Sequence, residues 1–335
     1  MARVLYVYSR RTTFTRIDLE ALAERFEVEE YFQDGARPRL RELAAKLRRC
    51  DVVFGWFASW HTLAALTLAR SLRRPSVLVI GGFDTASVPE IGYGNQQDRI
   101  RRWRSRLTIA EATRLVTNSH YLRGEIERNL GIHPDRVTVI HHGLPDRFGP
   151  PAGERAAMAL TVAVVERSNL ERKGLRAFVQ AARELPATEF VLAGRWEDRS
   201  IEELRALASP NVTFTGYLEE AELDRLFRRA GAYVQASWHE GFGLAVAEAM
   251  LAGCVPVVTE AGALPEVVGD TAVRIPAPRA EEVAAGVRRA LELGPEQGER
   301  ARARALEHFP LKARIDGICG EVEAALASRG ARSER

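Results

Sequence analysis

The sequence predicts an α/β protein with two doubly wound, Rossmann-like domains, each built on a parallel sheet. Apolar strand-like runs alternate with amphipathic helical stretches in the first half of the chain, and a second alternating series begins at Leu160. This alternation is typical of parallel strands joined by helical crossovers. At 335 residues the chain is long enough for two hydrophobic cores. We therefore expect two facing domains with a ligand cleft at the carboxyl ends of their strands.

In the first half, five apolar runs predict the strands of one sheet, at 4–8, 52–57, 77–80, 115–117 and 137–140. The proline- and glycine-rich segment 143–153 predicts a linker. In the second half, strands are expected at 162–165 and 231–237, and a helix at 244–251.

Composition limits the classes of function. With 46% hydrophobic and 28% charged residues the chain reads as a soluble globular protein, and no apolar run reaches the length of a transmembrane helix. Three widely spaced cysteines and no metal-like histidine pair predict neither a disulfide framework nor a metal site. A net charge of +3 gives no reason to expect nucleic acid as a partner. Without a secretory signal, the expected location is the cytoplasm.

The segment 240–248 is the most informative in the chain. It places Glu240 and Glu248 on either side of a Gly241–Gly243 turn that opens an apolar helix. The free N–H groups of a helix start attract anions, whereas carboxylates accept hydrogen bonds from hydroxyls. A phosphate on the helix end and sugar hydroxyls on two glutamates together describe a nucleotide sugar. The alternative is an ordinary strand-to-helix turn with solvated glutamates.

The surrounding motifs favour the first interpretation. The segments 211–218, 240–248, 253–259 and 261–268, in this order and spacing, resemble the C-terminal domain of a family 4 glycosyltransferase (glycosyl transferases group 1) with the GT-B fold. This resemblance implies domains at 1–148 on the acceptor side and 149–308 for the nucleotide sugar. It also implies that 309–335 forms a helix crossing back to the first domain.

The resemblance implies a role for each residue of the motifs. Glu240 would hold the hydroxyls of the donor sugar and Glu248 those of the ribose, while Arg167 and Lys173 would neutralise the diphosphate. Only three of the 48 basic residues are lysines, which makes Lys173 conspicuous. The alternative is that Arg167 and Lys173 are surface charges at a helix start. Further donor contacts are expected from Gly241, Phe242, Gly243, Leu244 and Leu218.

The first domain departs from the family pattern. Where the family has a Gly-Gly loop, this chain has Arg10, and where many members have a histidine it has Asp84. We expect Arg10, Asp84 and Trp56 on the acceptor side. Alternatively, Asp84 stabilises a turn, and Trp56 packs in the core together with Phe57 and Trp60.

Two basic amphipathic stretches, 37–49 and 99–106, suggest a peripheral contact with the anionic inner face of a membrane. The alternative is that each stretch is a helix whose apolar side packs on the core while its arginines face water, because such a helix has the same sequence pattern.

The function implied by the resemblance is that of a retaining, metal-independent glycosyltransferase without a cofactor. It would move a sugar from a nucleotide diphosphate donor, UDP- or GDP-linked, to a hydroxyl of a sugar, glycan or lipid-linked acceptor. In the mechanism usually proposed for the family, the leaving phosphate takes the acceptor proton. The alternatives are a GT-B phosphorylase, a nucleotide-sugar epimerase, or a non-catalytic subunit that binds nucleotide sugars.

Overall fold

The computed structural model describes residues 1–150, 153 and 155–333. Contacts within the chain define two compact units. The first consists of Met1–Gly143 and the helix that begins at Leu311, and the second of Leu144–Pro310. Residues 151 and 152 of the predicted linker lie outside the described part.

The secondary structure alternates along both units. Residues 1–143 contain β1 (Arg3–Tyr8), α1 (Thr13–Ala23), β2 (Glu27–Phe32), α2 (Leu40–Arg49), β3 (Val52–Trp56), α3 (Trp60–Ser71), β4 (Ser76–Ile80), α4 (Gly82–Thr85), α5 (Arg99–Glu111), β5 (Arg114–Thr117), α6 (His120–Leu130) and β6 (Val137–Val139). Residues 144–310 contain β7 (Ala156–Val162), α7 (Arg167–Arg172), α8 (Leu175–Ala181), β8 (Glu189–Ala193), α9 (Ser200–Leu207), β9 (Val212–Gly216), α10 (Glu220–Arg229), β10 (Ala230–Gln235), α11 (Leu244–Leu251), β11 (Val255–Thr259), α12 (Leu264–Val268), β12 (Val273–Ile275) and α13 (Ala280–His308), which is kinked at Gly294. Helix α14 (Leu311–Ser333) follows.

Each unit has one six-stranded sheet. The orders are β2-β1-β3-β4-β5-β6 and β12-β11-β10-β7-β8-β9, and the paired strands are parallel throughout. The chain order reverses once in each sheet, between β1 and β3 and between β7 and β10. Each reversal is a topological switch point, where open parallel sheets bind ligands. These sheets confirm the predicted α/β fold class.

Helix α14 belongs to the core of the first unit. Its residues Ile318, Cys319, Val322 and Ala325 are buried among side chains of β1, β3 and β4. Arg314 of the same helix is fully buried and forms a two-pronged ion pair with Asp18 of α1, at 2.9 and 2.6 Å. A buried carboxylate so paired keeps its charge satisfied, and the pair fixes α14 against α1.

Some elements differ from the sequence predictions. Strand β2 was not predicted, because it is an edge strand rich in glutamate in which only Tyr31 is buried. The strand expected at 162–165 is β7, which ends at Val162. Strand β3 ends at Trp56, since Phe57 turns the chain with a positive φ of 68°.

The segment 144–148, assigned from sequence to the first domain, packs with the second unit. The Leu144 N–H donates to the Phe309 carbonyl at 3.1 Å, and Asp146 pairs with Arg302. Within the described residues, none of the helices combines the length and apolar character needed to cross a membrane.

Candidate active site

The switch point of the second unit brings together the two segments that the sequence analysis singled out. Helix α7, which follows β7, begins at Arg167 and is followed by Lys173, and the loop after the neighbouring strand β10 carries Glu240. The ammonium of Lys173 donates to the Glu240 carboxylate in a half-buried ion pair. Residues 67 positions apart in the chain thus meet at the carboxyl edge of the sheet.

Glycine geometry holds the two loops together. Gly174 follows Lys173 with a φ of +65°, and a Cβ there would lie 2.0 Å from the Ala236 carbonyl oxygen. Only glycine permits both this backbone conformation and this close approach. The Trp238 N–H also donates to the Arg172 carbonyl at 2.9 Å. Lys173 is therefore placed beside Glu240 by backbone contacts and not only by its own charge.

A third loop supports Glu240 from the other side. Gly262, in the turn after β11, has a φ of +64°, and a Cβ there would lie 2.2 Å from the Glu240 carbonyl oxygen. The Ala263 N–H donates to that carbonyl at 2.8 Å. The segment 261–268 noted in the sequence thus fixes the backbone that carries Glu240.

The glycine turn then starts helix α11. Gly243 has a φ of +96°, and its carbonyl accepts hydrogen bonds from Val246 and Ala247 at 3.0 and 3.1 Å. The N–H groups of Leu244 and Ala245 precede these first helical bonds, as expected at a helix start. Phe242 is buried and packs edge-on against Phe309, with 5.1 Å between the ring centres. Its side chain therefore anchors the turn.

Burial and charge act in opposite directions on the ion pair. Burial lowers the pKa of Lys173, and the Glu240 charge partly offsets that effect. Burial also acts to raise the pKa of Glu240, but the charges of Lys173 and Arg172 outweigh it, so that its pKa is lowered. Because the ammonium of Lys173 lies in ion-pair contact with the Glu240 carboxylate, each charge favours the charged form of the other group.

Glu248 is held by a residue that the sequence analysis missed. Arg147 contacts Glu248 from Nη2 to Oε1 at 3.1 Å, and its Nε donates to Asp224 Oδ1 at 2.7 Å. Burial raises the pKa of Glu248, and the Arg147 charge opposes this. Arg147 lies 101 residues before Glu248 in an irregular segment, so no periodicity pointed to it.

Two further predicted donor residues, Arg167 and Leu218, lie outside the Lys173–Glu240 pair. Arg167 is exposed, with 73% of its side-chain surface accessible, and its guanidinium pairs with Glu203 at 2.7 Å. Its backbone N–H donates to Asp198 at 2.9 Å, whereas Lys173 faces Glu240. Leu218 is half-buried after β9, two strands along the sheet from β7.

Two of the three predicted acceptor residues are buried in the first unit. Trp56 is 1% exposed and packs against Phe14 and His142. Asp84 is 2% exposed and accepts the Gly81 N–H at 3.0 Å, so it stabilises the turn after β4. Burial raises the pKa of Asp84 to about 7. Hydrogen bonds from the backbone of Gly81 and Ala58 act in the opposite direction but are outweighed by burial.

The third acceptor residue, Arg10, is exposed at the end of β1, beside the switch point of the first sheet. Of Trp56, Phe57 and Trp60, Trp60 is the exposed one, with 45% of its surface accessible.

Comparison with known proteins identifies the family of the chain. The family model for glycosyl transferases group 1 matches residues 152–308, and the model for glycosyltransferase family 4 matches residues 22–148. Together the two models cover most of both units. The chain belongs to the family 4, group 1 glycosyltransferases.

Sequence relatives are glycosyltransferases of several kinds. O-antigen chain mannosyltransferase B of Escherichia coli is 28% identical over 52% of this chain and 51% of its own length. Glycogen synthase of Mycobacterium tuberculosis is 31% identical over 58% of this chain and 49% of its own. D-inositol 3-phosphate glycosyltransferase of a Mycobacterium species is 31% identical over 63% and 47%. The chain spans about half the length of these curated relatives.

Solved structures confirm the GT-B fold. The HepE protein of Anabaena, in complex with UDP and glucose, superposes with a TM-score of 0.80 at 16% identity, covering 97% of this chain and 100% of its own. Sucrose-phosphate synthase of Thermosynechococcus elongatus gives a TM-score of 0.78 at 15% identity, covering 98% and 100%. At this level of identity the likeness concerns the fold.

Proposed function

We propose that the protein is a retaining hexosyltransferase that takes its sugar from a UDP- or GDP-linked donor and transfers it to an acceptor hydroxyl. The observation that carries this proposal is the Lys173–Glu240 pair at the switch point of the second sheet, beside the start of α11. Cationic, anionic and N–H groups are thereby concentrated at one sheet edge. A diphosphate, a sugar and a ribose need these three kinds of partner.

In this proposal the donor separates the ion pair. The diphosphate takes the ammonium of Lys173 and the first N–H groups of α11, and the released Glu240 carboxylate accepts hydrogen bonds from the sugar hydroxyls. Negative charge grows on the diphosphate as the glycosidic bond breaks, so a fixed cation there lowers the barrier. Arg167 is the second candidate cation, and it has to leave Glu203 to act.

The remaining assignments complete the donor site. Glu248 binds the ribose hydroxyls, the backbone of Gly241, Phe242, Gly243 and Leu244 meets phosphate and sugar, and Leu218 contributes apolar contact. Neutralisation of the diphosphate by side chains and helix N–H groups makes the proposed reaction independent of metal and cofactor. The leaving phosphate accepts the acceptor proton, with retention at the anomeric carbon.

On the acceptor side, Arg10 and Trp60 are the exposed residues of the first unit that fit a glycan or an anionic, lipid-linked acceptor. Arg104 stacks over the Trp60 ring, with its Cζ 5.5 Å from the ring centre. This contact leaves 45% of the Trp60 surface accessible.

Helix α5 is our candidate for contact with an anionic membrane surface at the cytoplasmic face. Ile100 and Trp103 are 67% and 55% exposed, although the sequence pattern also allowed both to pack on the core. Exposed arginines surround them at Arg99, Arg102 and Arg106. Helix α2 differs, because its Leu43 and Leu47 are buried and its Lys46 pairs with Glu29.

The proposed function is tested by screening purified protein against UDP- and GDP-sugars. A donor should raise the melting temperature and be slowly hydrolysed to the nucleoside diphosphate, with or without EDTA. Proton NMR of the released sugar should first show the anomer present in the donor.

Three outcomes of this screen would change the assignment. Conversion of the donor sugar without its release indicates an epimerase. Sugar 1-phosphate formed with inorganic phosphate, and no use of nucleotide sugars, indicates a phosphorylase. Binding without turnover, with any acceptor offered, indicates a non-catalytic subunit.

A further inference from the structure

Arg147 lies between two carboxylates of the second unit, neither of which is its neighbour in sequence. Its Nε donates to Asp224 Oδ1 on α10 at 2.7 Å, and its Nη2 donates to Glu248 Oε1 on α11 at 3.1 Å. Glu220 is a weaker third partner at 3.7 Å. The side chains of Arg147, Asp224 and Glu248 are largely buried, so solvent weakens the contacts between them only a little.

The guanidinium has little freedom to turn. It stacks over the Phe148 ring, 4.8 Å from the ring centre, and the carbonyl of Arg147 accepts a hydrogen bond from Arg228 at 2.9 Å. The preceding Asp146 is bound by the buried Arg302, from Nη1 to Oδ1 at 2.9 Å. Backbone, ring face and Asp224 together fix the direction in which Nη2 points.

The contact uses only one oxygen of Glu248. Oε1 accepts from Arg147, whereas Oε2 has no hydrogen-bond partner among the described residues. A carboxylate held at one oxygen by a fixed cation presents the other in a defined direction. Because such a preorganised carboxylate loses less conformational entropy when a ligand binds, it binds a correctly placed hydroxyl more tightly.

We propose that Arg147 is a positioning residue that sets Glu248 for the ribose hydroxyls of the donor. This inference rests on the proposed function, because it assumes that Glu248 meets a ribose. It adds a division of labour in which Asp224 orients Arg147, Arg147 orients Glu248, and Glu248 discriminates nucleotides that carry both ribose hydroxyls from those that lack them.

The test is calorimetric titration with UDP and GDP and with their 2′,3′-dideoxy analogues. Wild type should bind the better ribonucleotide at least about tenfold more tightly than its dideoxy analogue, as expected for hydrogen bonds to a charged group. R147M should lose most of this ratio through weaker ribonucleotide binding, while its affinity for the dideoxy analogue stays unchanged. R147K should restore the ratio in part.

R228M is the matched control. Arg228 also lies over the Phe148 ring, but it donates its hydrogen bond to the Arg147 carbonyl and not to Glu248. The R228M variant should keep the full ratio. In an E248Q background, R147M should cause no further loss. If R147M does not fold, D224N replaces it, since that variant releases Arg147 from α10 and should also lower the ratio.

The outcomes separate the two proposals. A wild type that binds neither UDP nor GDP, or an E248Q variant that retains the full ratio, overturns the ribose role of Glu248 and the present inference with it. A ratio that is lost in E248Q but retained in R147M or D224N overturns the inference alone.

Discussion

At the scale of single residues, the charged groups of the candidate site in the second unit lie next to groups of opposite charge. Lys173 is matched by Glu240, and Arg147 by Asp224 and Glu248, each in a half-buried or buried setting. Removing one member of such a pair leaves the other uncompensated, which costs more than the pair contributes. Because Lys173 and Glu240 neutralise each other, we expect variants of the two residues to have different effects on diphosphate binding and on donor hydrolysis.

Asp84 gives a pH dependence at the residue scale. Its pKa is raised to about 7 by burial, above the value of about 3.9 for an unfolded aspartate. The folded state therefore binds more protons between these values, and the stability of the first unit should fall as pH rises from about 4 to about 7. D84N keeps an acceptor for the Gly81 N–H and removes the titration.

Thermal melts of wild type and D84N at pH 5 and pH 8 test this expectation. D84N should gain stability relative to wild type at pH 8 and less at pH 5. A melting-temperature difference that is the same at both pH values would contradict the assigned role of Asp84.

At the scale of elements, sequence periodicity predicted helices well but did not say which faces are covered. The stretches 37–49 and 99–106 look alike as basic amphipathic patterns. In the structure α2 buries Leu43 and Leu47, whereas α5 exposes Ile100 and Trp103. Burial of a helix face depends on which neighbours the fold supplies, and the sequence of one helix does not contain that information.

Helix α5 therefore carries the membrane prediction. Wild type should sediment with vesicles containing about 30% phosphatidylserine at low salt, and binding should fall steeply as salt rises because exposed arginines are screened. W103A and R102E should both weaken binding, while R41E on the other basic helix should have little effect. Binding that is insensitive to W103A and R102E would contradict a role for α5.

At the scale of the whole molecule, the sequence predicted two parallel α/β units, their family and the residues that meet at the second switch point. The alternation of strands and helices and the 240–248 motif carry that information locally. The sequence did not predict the edge strand β2, because a half-exposed strand rich in glutamate lacks an apolar run. It also missed Arg147, whose partners lie 77 and 101 residues away.

The first unit shows the same limit. Trp56 has the residue type expected for sugar binding and lies at a strand end, yet it is buried. Helix α14, which closes over part of this core, comes from the far end of the chain and ties itself to α1 through the Arg314–Asp18 pair. A prediction made from the strand alone had no access to that covering helix.

The central claim is that donor binding separates the Lys173–Glu240 pair, so that Lys173 binds the diphosphate and Glu240 binds the sugar of the same donor. Calorimetric titration tests this claim most directly. UDP and GDP are titrated into wild type, K173A and E240Q, and donor hydrolysis is measured on the same samples. K173A should weaken binding of the nucleoside diphosphate and slow hydrolysis, because it removes a cation and leaves a buried carboxylate near the phosphate. E240Q should bind the nucleoside diphosphate at least as tightly as wild type, since Lys173 is then unopposed, yet hydrolyse donor on the order of 100-fold more slowly. Equal diphosphate affinity in wild type and K173A, or wild-type turnover in E240Q, would contradict the account.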